Sequence, residues 1–114
     1  MRWLPVSDLS ELAIIKGLSK EQHIRAVLVF KHSTRCSISN MALHRLEDKW
    51  VDRDDVPCYF LNLLEHRDIS NQLAADFHVE HQSPQVLLIK DAQCFYHESH
   101  SGISVRDISE ALTR

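Results

Sequence analysis

The sequence predicts an α/β fold with a mixed central β-sheet flanked by helices. Three observations support this prediction. Apolar runs of strand length alternate with segments of helical periodicity, the last two runs are close enough to form a hairpin, and 114 residues suit one domain. A right-handed crossover through a helix is expected to make the first two of the inner strands parallel neighbours, and the final hairpin is expected to be antiparallel. We therefore expect a single domain over residues 1–114.

The N-terminal segment predicts an edge strand followed by a helix. Residues 1–6 are largely apolar, and Pro5 excludes a central position in a sheet. Ser7 is the expected N-cap of the first helix, and Gly17 is expected to end it. The apolar stripe of this helix consists of Leu9, Leu12, Ile15 and Leu18.

The next segments predict two inner strands on either side of a helix. Residues 26–30 are continuously apolar, as in a strand covered on both faces, and a polar loop is expected over residues 31–35. A helix is expected from Ser37, and residues 58–64 form the second apolar run.

The C-terminal part predicts a helix, a hairpin and a final helix. Asp68 is the expected cap of the first of these helices. Residues 85–89 and 94–97 are the two hairpin strands, and Ser104 with Asp107 has the spacing of a helix cap.

Composition excludes several classes of function. The net charge of −3 and the absence of a basic run argue against nucleic acid or a membrane surface as a partner. With only two glycines, the chain has no phosphate-binding glycine loop. Three cysteines cannot all pair within one chain, so we expect a reducing compartment, the cytoplasm.

Cys36 is the candidate nucleophile. It stands where a helix is predicted to begin, and the unpaired N–H groups and dipole of a helix start favour a thiolate. The alternative is an ordinary unreactive cysteine. Cys58 and Cys94 fall in predicted strands, where a free cysteine commonly acts as a small apolar residue, so we interpret both as structural.

Residues 30–39, Phe-Lys-His-Ser-Thr-Arg-Cys-Ser-Ile-Ser, resemble the active-site segment of the monothiol bacilliredoxins, thioredoxin-like proteins of the bacillithiol system. Trp3 and the segments 83–85 and 100–101 are also similar to that family. Arg35 and Ser37 depart from its commonest forms. The resemblance implies a thioredoxin-like fold with a cis proline at Pro84 beside the cysteine.

The resemblance also implies a reaction. Cys36 would take bacillithiol from a mixed disulfide with a protein, and another thiol would then regenerate the enzyme. Bacillithiol is a co-substrate, no cofactor is tightly bound, and the partners are bacillithiolated proteins and a low-molecular-weight thiol. The expected oligomeric state is a monomer or a weak dimer. Ser39, three residues after Cys36, cannot form the disulfide of a CxxC enzyme, which predicts monothiol chemistry.

Three neighbours of Cys36 are candidates for tuning its thiolate. Arg35 supplies a positive charge if its side chain turns towards the sulfur, and Ser39 can donate a hydrogen bond. His32 can act on the thiolate or support the loop backbone, and we favour loop support.

Substrate-binding candidates lie in three segments. By resemblance, Thr34, Ser83 and Pro84 form a rim for a small thiol or an extended disulfide partner. Ser101 and Gly102 offer backbone N–H groups suited to a carboxylate, and bacillithiol carries a malyl group with two. An ordinary turn before the last helix explains the same two residues equally well.

Two other functions remain open at this point. The domain is either an enzyme or a non-catalytic thioredoxin-like binding or adaptor domain, and a metal or iron–sulfur cluster module is a further alternative. The histidine pairs His78–His81 and His97–His100, with His66, raise a metal site as a rival. We favour solvated histidines and predict no metal site.

Overall fold

A computed structural model describes residues 1–114. Five strands and four helices alternate in the predicted order. They are β1 (Trp3–Pro5), α1 (Ser10–Ser19), β2 (Val27–His32), α2 (Ser37–Lys49), β3 (Cys58–Asn62), α3 (Arg67–Phe77), β4 (Gln85–Lys90), β5 (Gln93–Ser99) and α4 (Val105–Ala111), with a 3₁₀ turn at His100–Gly102.

The five strands form one mixed sheet in the order β1-β3-β2-β4-β5. β2 is central; it pairs in parallel with β3 and antiparallel with β4. β4 and β5 form the predicted antiparallel hairpin, and β1 pairs in parallel with β3. The predicted α/β fold with a mixed sheet is therefore confirmed.

Helices cover both faces of the sheet because β2 is apolar on both. Val27 and Val29 point into the core formed with α1 and α3, whereas Leu28 and Phe30 point into the core formed with α2 and α4. All six residues of β2 are buried. The strand that leads into the Cys36 loop is thus packed against helices on both faces.

Three helix boundaries differ from the predictions. α1 begins at Ser10, and Ser7 instead donates from its N–H and hydroxyl to the Glu11 carboxylate. Gly17 does not end this helix, because the helix continues to Ser19. α3 has His66, not Asp68, at its N-cap position, which places Asp68 within the first turn.

β2, β4 and β5 extend beyond the apolar runs that predicted them, whereas β3 ends at Asn62, two residues before the end of its run. Lys31 and His32, expected in a loop, continue β2 and are buried, because polar partners from α2 and the segment after α3 accept them. The hairpin loop is only Asp91 and Ala92, with φ of 53° and 60°. Positive φ at both loop residues matches the twist of a tight hairpin, so Gln93 belongs to β5.

No helix of this chain combines the length and the apolar character that a membrane span requires.

Candidate functional site

Cys36 occupies the N-cap position of α2, as predicted, at the carboxyl end of the central strand. Its N–H donates to the Ser33 carbonyl at 3.1 Å, and its carbonyl accepts the Asn40 N–H at 3.0 Å. That second bond is the first of the helix, so the N–H groups of the three preceding helical residues have no helical acceptor. The side chain of Cys36 is partly exposed and free of disulfides. A partly exposed cysteine therefore stands at the positive end of a thirteen-residue helix.

Ser39 and His32 form a buried hydrogen-bonded pair behind this loop. Ser39 Oγ lies 2.7 Å from His32 Nδ1 and accepts the Ser33 N–H at 3.0 Å. The His32 ring also packs on Phe30 and Phe60, with centroid distances of 5.7 and 5.3 Å. Burial lowers the pKa of His32, and the nearby Glu47 carboxylate opposes that shift. The bonds of this pair support the loop; a direct effect of either residue on the thiolate stays a prediction.

Thr34 and Arg35 are exposed at the tip of the same loop. The Arg35 guanidinium makes no ion pair and no hydrogen bond within the chain. Both residues line a cleft of about 390 Å³ whose other wall follows β3, at Asn62, Leu64 and Glu65. Sequence reasoning missed this second wall, because nothing in the local sequence of those three residues indicates a site.

Ser83 and Pro84 lie on the β4 side of β2, whereas the cleft lies on its β3 side. The Ser83–Pro84 peptide bond is cis, as the resemblance implied. β4 starts at the next residue, and Lys31 is paired with Gln85, so one further step in that register sets Pro84 opposite His32. Pro84 is buried, and the Ser83 hydroxyl is buried without a hydrogen-bond partner. The proline loop therefore borders the strand end that carries Cys36.

Ser101 and Gly102 belong to the 3₁₀ turn and are exposed. The His100 N–H donates to the Pro84 carbonyl at 3.0 Å, which brings the turn towards the proline loop. Arg45 of α2 holds the same turn by donating to the carbonyls of His100 and Ile103, both at 3.1 Å. A methyl group on Gly102 would meet the Glu98 carboxylate at 2.8 Å, so this turn already has a carboxylate beside it.

A buried lysine on the other face of β2 was also missed. Lys31 has no exposed surface, and its Nζ lies 2.8 Å from Nδ1 of His81. Ser70 Oγ of α3 contacts the same ring nitrogen at 3.3 Å. Burial lowers the pKa of Lys31 to about 8. The signal available in the sequence was spacing. Residues two apart in a strand share a face, so Lys31 is expected on the same buried face as Val29 if the strand continues.

Cys58 and Cys94 lie in β3 and β5, as expected. Burial raises the pKa of the Cys58 thiol to about 12, and burial is also the main cause of the raised pKa of Cys94. Each thiol also donates to a backbone carbonyl, that of Val56 or Tyr96. Both side chains are therefore poor nucleophiles at neutral pH.

The histidines that raised a metal site are dispersed over several elements. His81 binds Lys31, whereas His97 lies in β5 and His100 in the 3₁₀ turn. No group of three or more histidine, cysteine, aspartate or glutamate side chains is arranged to hold a metal ion.

Comparison with known proteins adds a family and a fold. The family model described as monothiol bacilliredoxin BrxC matches residues 7–108 of this chain. Among solved structures, a putative oxidoreductase with a thioredoxin fold is similar with a TM-score of 0.76 and 24% identity, covering 96% of this chain and 92% of that one.

Two further structures have the same fold. Malassezia sympodialis thioredoxin, Mala s 13, has a TM-score of 0.72 and 15% identity over 99% of this chain and 89% of its own. Trxlp from Edwardsiella tarda EIB202 has a TM-score of 0.70 and 19% identity over 99% of this chain and 100% of its own. The architecture described above is thus a thioredoxin fold.

Proposed function

Because this chain belongs to the monothiol bacilliredoxin family, we propose that it is a thiol–disulfide oxidoreductase that removes bacillithiol from protein mixed disulfides through Cys36. Family membership supports a role in thiol redox chemistry. The observation that carries the assignment of the residue is the position of Cys36, partly exposed at the start of α2 in the loop that follows β2, the strand whose end the Ser83–Pro84 loop borders.

The first step is an exchange of one S–S bond for another. The Cys36 thiolate attacks the bacillithiol sulfur of the mixed disulfide, and the bond between bacillithiol and the substrate cysteine breaks. The substrate cysteine leaves as a thiolate and takes up a proton, while Cys36 now carries bacillithiol. The free N–H groups and the dipole at the start of α2 favour the attacking thiolate.

The second step requires a thiol from outside the chain. Ser39 occupies the position of a resolving cysteine and is fully buried, and the other two cysteines belong to strands. A second low-molecular-weight thiol therefore attacks the mixed disulfide on Cys36, releases the enzyme thiolate and leaves as a disulfide. Bacillithiol acts in this scheme as a co-substrate, and no cofactor takes part.

The two half-reactions suit a reducing compartment, since all three cysteines are free and the cycle consumes thiols. We place the reaction in the cytoplasm, with bacillithiolated proteins as partners and with a monomer or weak dimer as the working form. The Ser83–Pro84 loop supplies backbone next to Cys36 for an extended substrate segment, and Thr34 completes the rim.

The test uses a peptide with one cysteine in mixed disulfide with bacillithiol. Wild type is expected to release the free peptide thiol and to gain the bacillithiol mass on Cys36. Cys36→Ser should do neither, whereas the matched variant Cys94→Ser should behave as wild type. Release by Cys36→Ser, or adduct formation on Cys58 or Cys94, would contradict the assignment. Peptide binding without release of the thiol would instead indicate an adaptor domain.

A further inference from the structure

A disulfide substrate has two halves, and the structure offers two separate places around the loop that carries Cys36. The Ser83–Pro84 loop borders β2 on the β4 side. The cleft of Thr34 and Arg35 lies on the β3 side, since its second wall follows the end of that strand. Because β3 and β4 flank β2 on opposite sides, the two places lie to either side of the strand end from which the Cys36 loop begins.

The cleft is built where two parallel strands end together. The Leu63 N–H donates to the His32 carbonyl at 2.9 Å, which fixes the chain after β3 against the start of the Cys36 loop. The volume of the cleft, about 390 Å³, lies in the range of small-molecule sites. A compact thiol fits such a space better than an extended peptide, which pairs along a strand or loop.

The polar groups of the cleft suit an anion that also carries hydroxyl groups. The Arg35 guanidinium has no partner in the chain and directly precedes Cys36. Asn62 Oδ1 accepts the Leu64 N–H at 3.1 Å, and the side-chain NH₂ of Asn62 remains free to donate. Guanidinium groups bind carboxylates in a bidentate geometry, whereas amide and hydroxyl groups recognise sugar oxygens.

The alternative place for a carboxylate is less favourable. The Glu98 carboxylate lies against the turn at Ser101 and Gly102, and its negative charge would repel a substrate carboxylate bound there. The cleft also contains a carboxylate, that of Glu65, but this side chain is 70% exposed and sits opposite the Arg35 charge. The Arg45 guanidinium beside the turn is already bonded to two backbone carbonyls, whereas the Arg35 guanidinium of the cleft has no hydrogen bond within the chain.

We propose that the cleft lined by Thr34, Arg35, Asn62, Leu64 and Glu65 binds the low-molecular-weight half of the disulfide, with Arg35 pairing to its carboxylates. The inference rests on the proposed exchange reaction and adds the subsite that selects an anionic thiol. Arg35 is then a specificity-determining residue, and its charge acts on the bound thiol more than on Cys36.

The experiment compares two mixed disulfides of the same peptide, which differ only in the small thiol attached to the peptide cysteine. One peptide cysteine carries bacillithiol, and the same cysteine in a second sample carries 2-mercaptoethanol, which has no carboxylate. The measured quantity is the rate of peptide-thiol release from the bacillithiol disulfide divided by the rate from the 2-mercaptoethanol disulfide. We expect Arg35→Gln to lower this ratio about tenfold, the effect of one hydrogen bond to a charged group. Arg35→Lys should restore part of it, because a charge remains without the bidentate geometry.

Three further measurements sharpen the result. Glu65→Gln should raise the ratio, because it removes the one negative charge of the cleft. Arg106→Gln, an exposed arginine on α4, should leave the ratio at the wild-type value. Raising the ionic strength from about 0.01 M to 1 M should reduce the wild-type ratio, since salt screens an exposed pair.

The outcomes separate the subsite from the reaction. If wild type forms the Cys36 adduct but Arg35→Gln keeps the wild-type ratio, the subsite is wrong and the exchange reaction stands. An equal fall of both rates in Arg35→Gln also overturns the subsite, because Arg35 then acts on the Cys36 thiolate. If wild type releases neither peptide thiol, the proposed function fails and the subsite falls with it.

Discussion

The Lys31 ammonium nitrogen lies 2.8 Å from Nδ1 of His81, and Lys31 has no exposed surface. The bond joins the end of the central strand to the segment between α3 and the cis proline. A buried ammonium without a carboxylate partner is costly, and this cost lowers the pKa of Lys31 to about 8. The pKa of His81 is lowered mainly by burial, and then by the positive charges of Lys31 and Arg67.

Replacing Lys31 should change how stability depends on alkaline pH. The pKa of Lys31 is about 8 in the folded chain against an ordinary 10.5, so the unfolded chain binds more protons between these values. Raising the pH through this window therefore raises the free energy of unfolding by roughly 1–3 kcal/mol. The measurement is urea unfolding at a series of pH values from 7 to 10.5. We expect the free energy of unfolding of Lys31→Met to lack this rise.

The control for that experiment is Lys49→Met, at a lysine whose side chain is 75% exposed. Its stability curve should run parallel to that of wild type. A Lys31→Met curve that also runs parallel to wild type would mean that the buried lysine carries no such cost.

Native alkylation should distinguish the three cysteines. Cys36 is partly exposed, whereas burial raises the pKa of Cys58 to about 12 and that of Cys94 as well. Only a thiolate reacts quickly with iodoacetamide. At pH 8 we expect mass spectrometry to find a single modification, at Cys36, and three modifications after unfolding in urea. Rapid native labelling of Cys58 would disprove this ranking.

Ser39→Ala should destabilise the fold by about 1–3 kcal/mol. The substitution removes the partner of the Ser33 N–H and of His32 Nδ1, and a buried polar group without a partner keeps its full desolvation cost. Ser37→Ala is the matched control, since Ser37 is exposed and should change stability by less than about 0.5 kcal/mol. Chemical denaturation of both variants is the measurement, and equal stabilities would contradict the role of Ser39.

His32 should make the fold sensitive to acid. Burial lowers the pKa of His32 in the folded chain, so below its ordinary 6.5 the unfolded chain binds the additional proton. The contribution of His32 to stability is therefore complete above about pH 6.5 and is lost as the pH falls. We expect wild type to lose more stability than His32→Asn between pH 7 and 5, followed by thermal unfolding.

The comparison variant for the acid experiment is His44→Asn, at an exposed histidine of α2. This variant should follow the wild-type curve. If His32→Asn follows it too, protonation of His32 is not what weakens the fold.

The sequence by itself predicted the features that depend on local spacing. Cys36 stands at a helix start because the apolar run before it and the helical periodicity after it leave no other place for the turn. Ser39 stands where a CxxC enzyme has its second cysteine, which excludes an intramolecular disulfide at that position. Ser83–Pro84 precedes the strand that pairs with β2. Each of these predictions needed only residues a few positions apart together with the order of the elements.

Only the tertiary structure decided what surrounds that cysteine. Lys31 and His81 are 50 positions apart, and a charge after an apolar run predicts the end of a strand unless a distant partner accepts it. Asn62 and Glu65 reach the Arg35 loop because two parallel strands end at the same edge of the sheet. Burial and pairing of this kind arise when separate segments pack together, and no local pattern in the sequence specifies them.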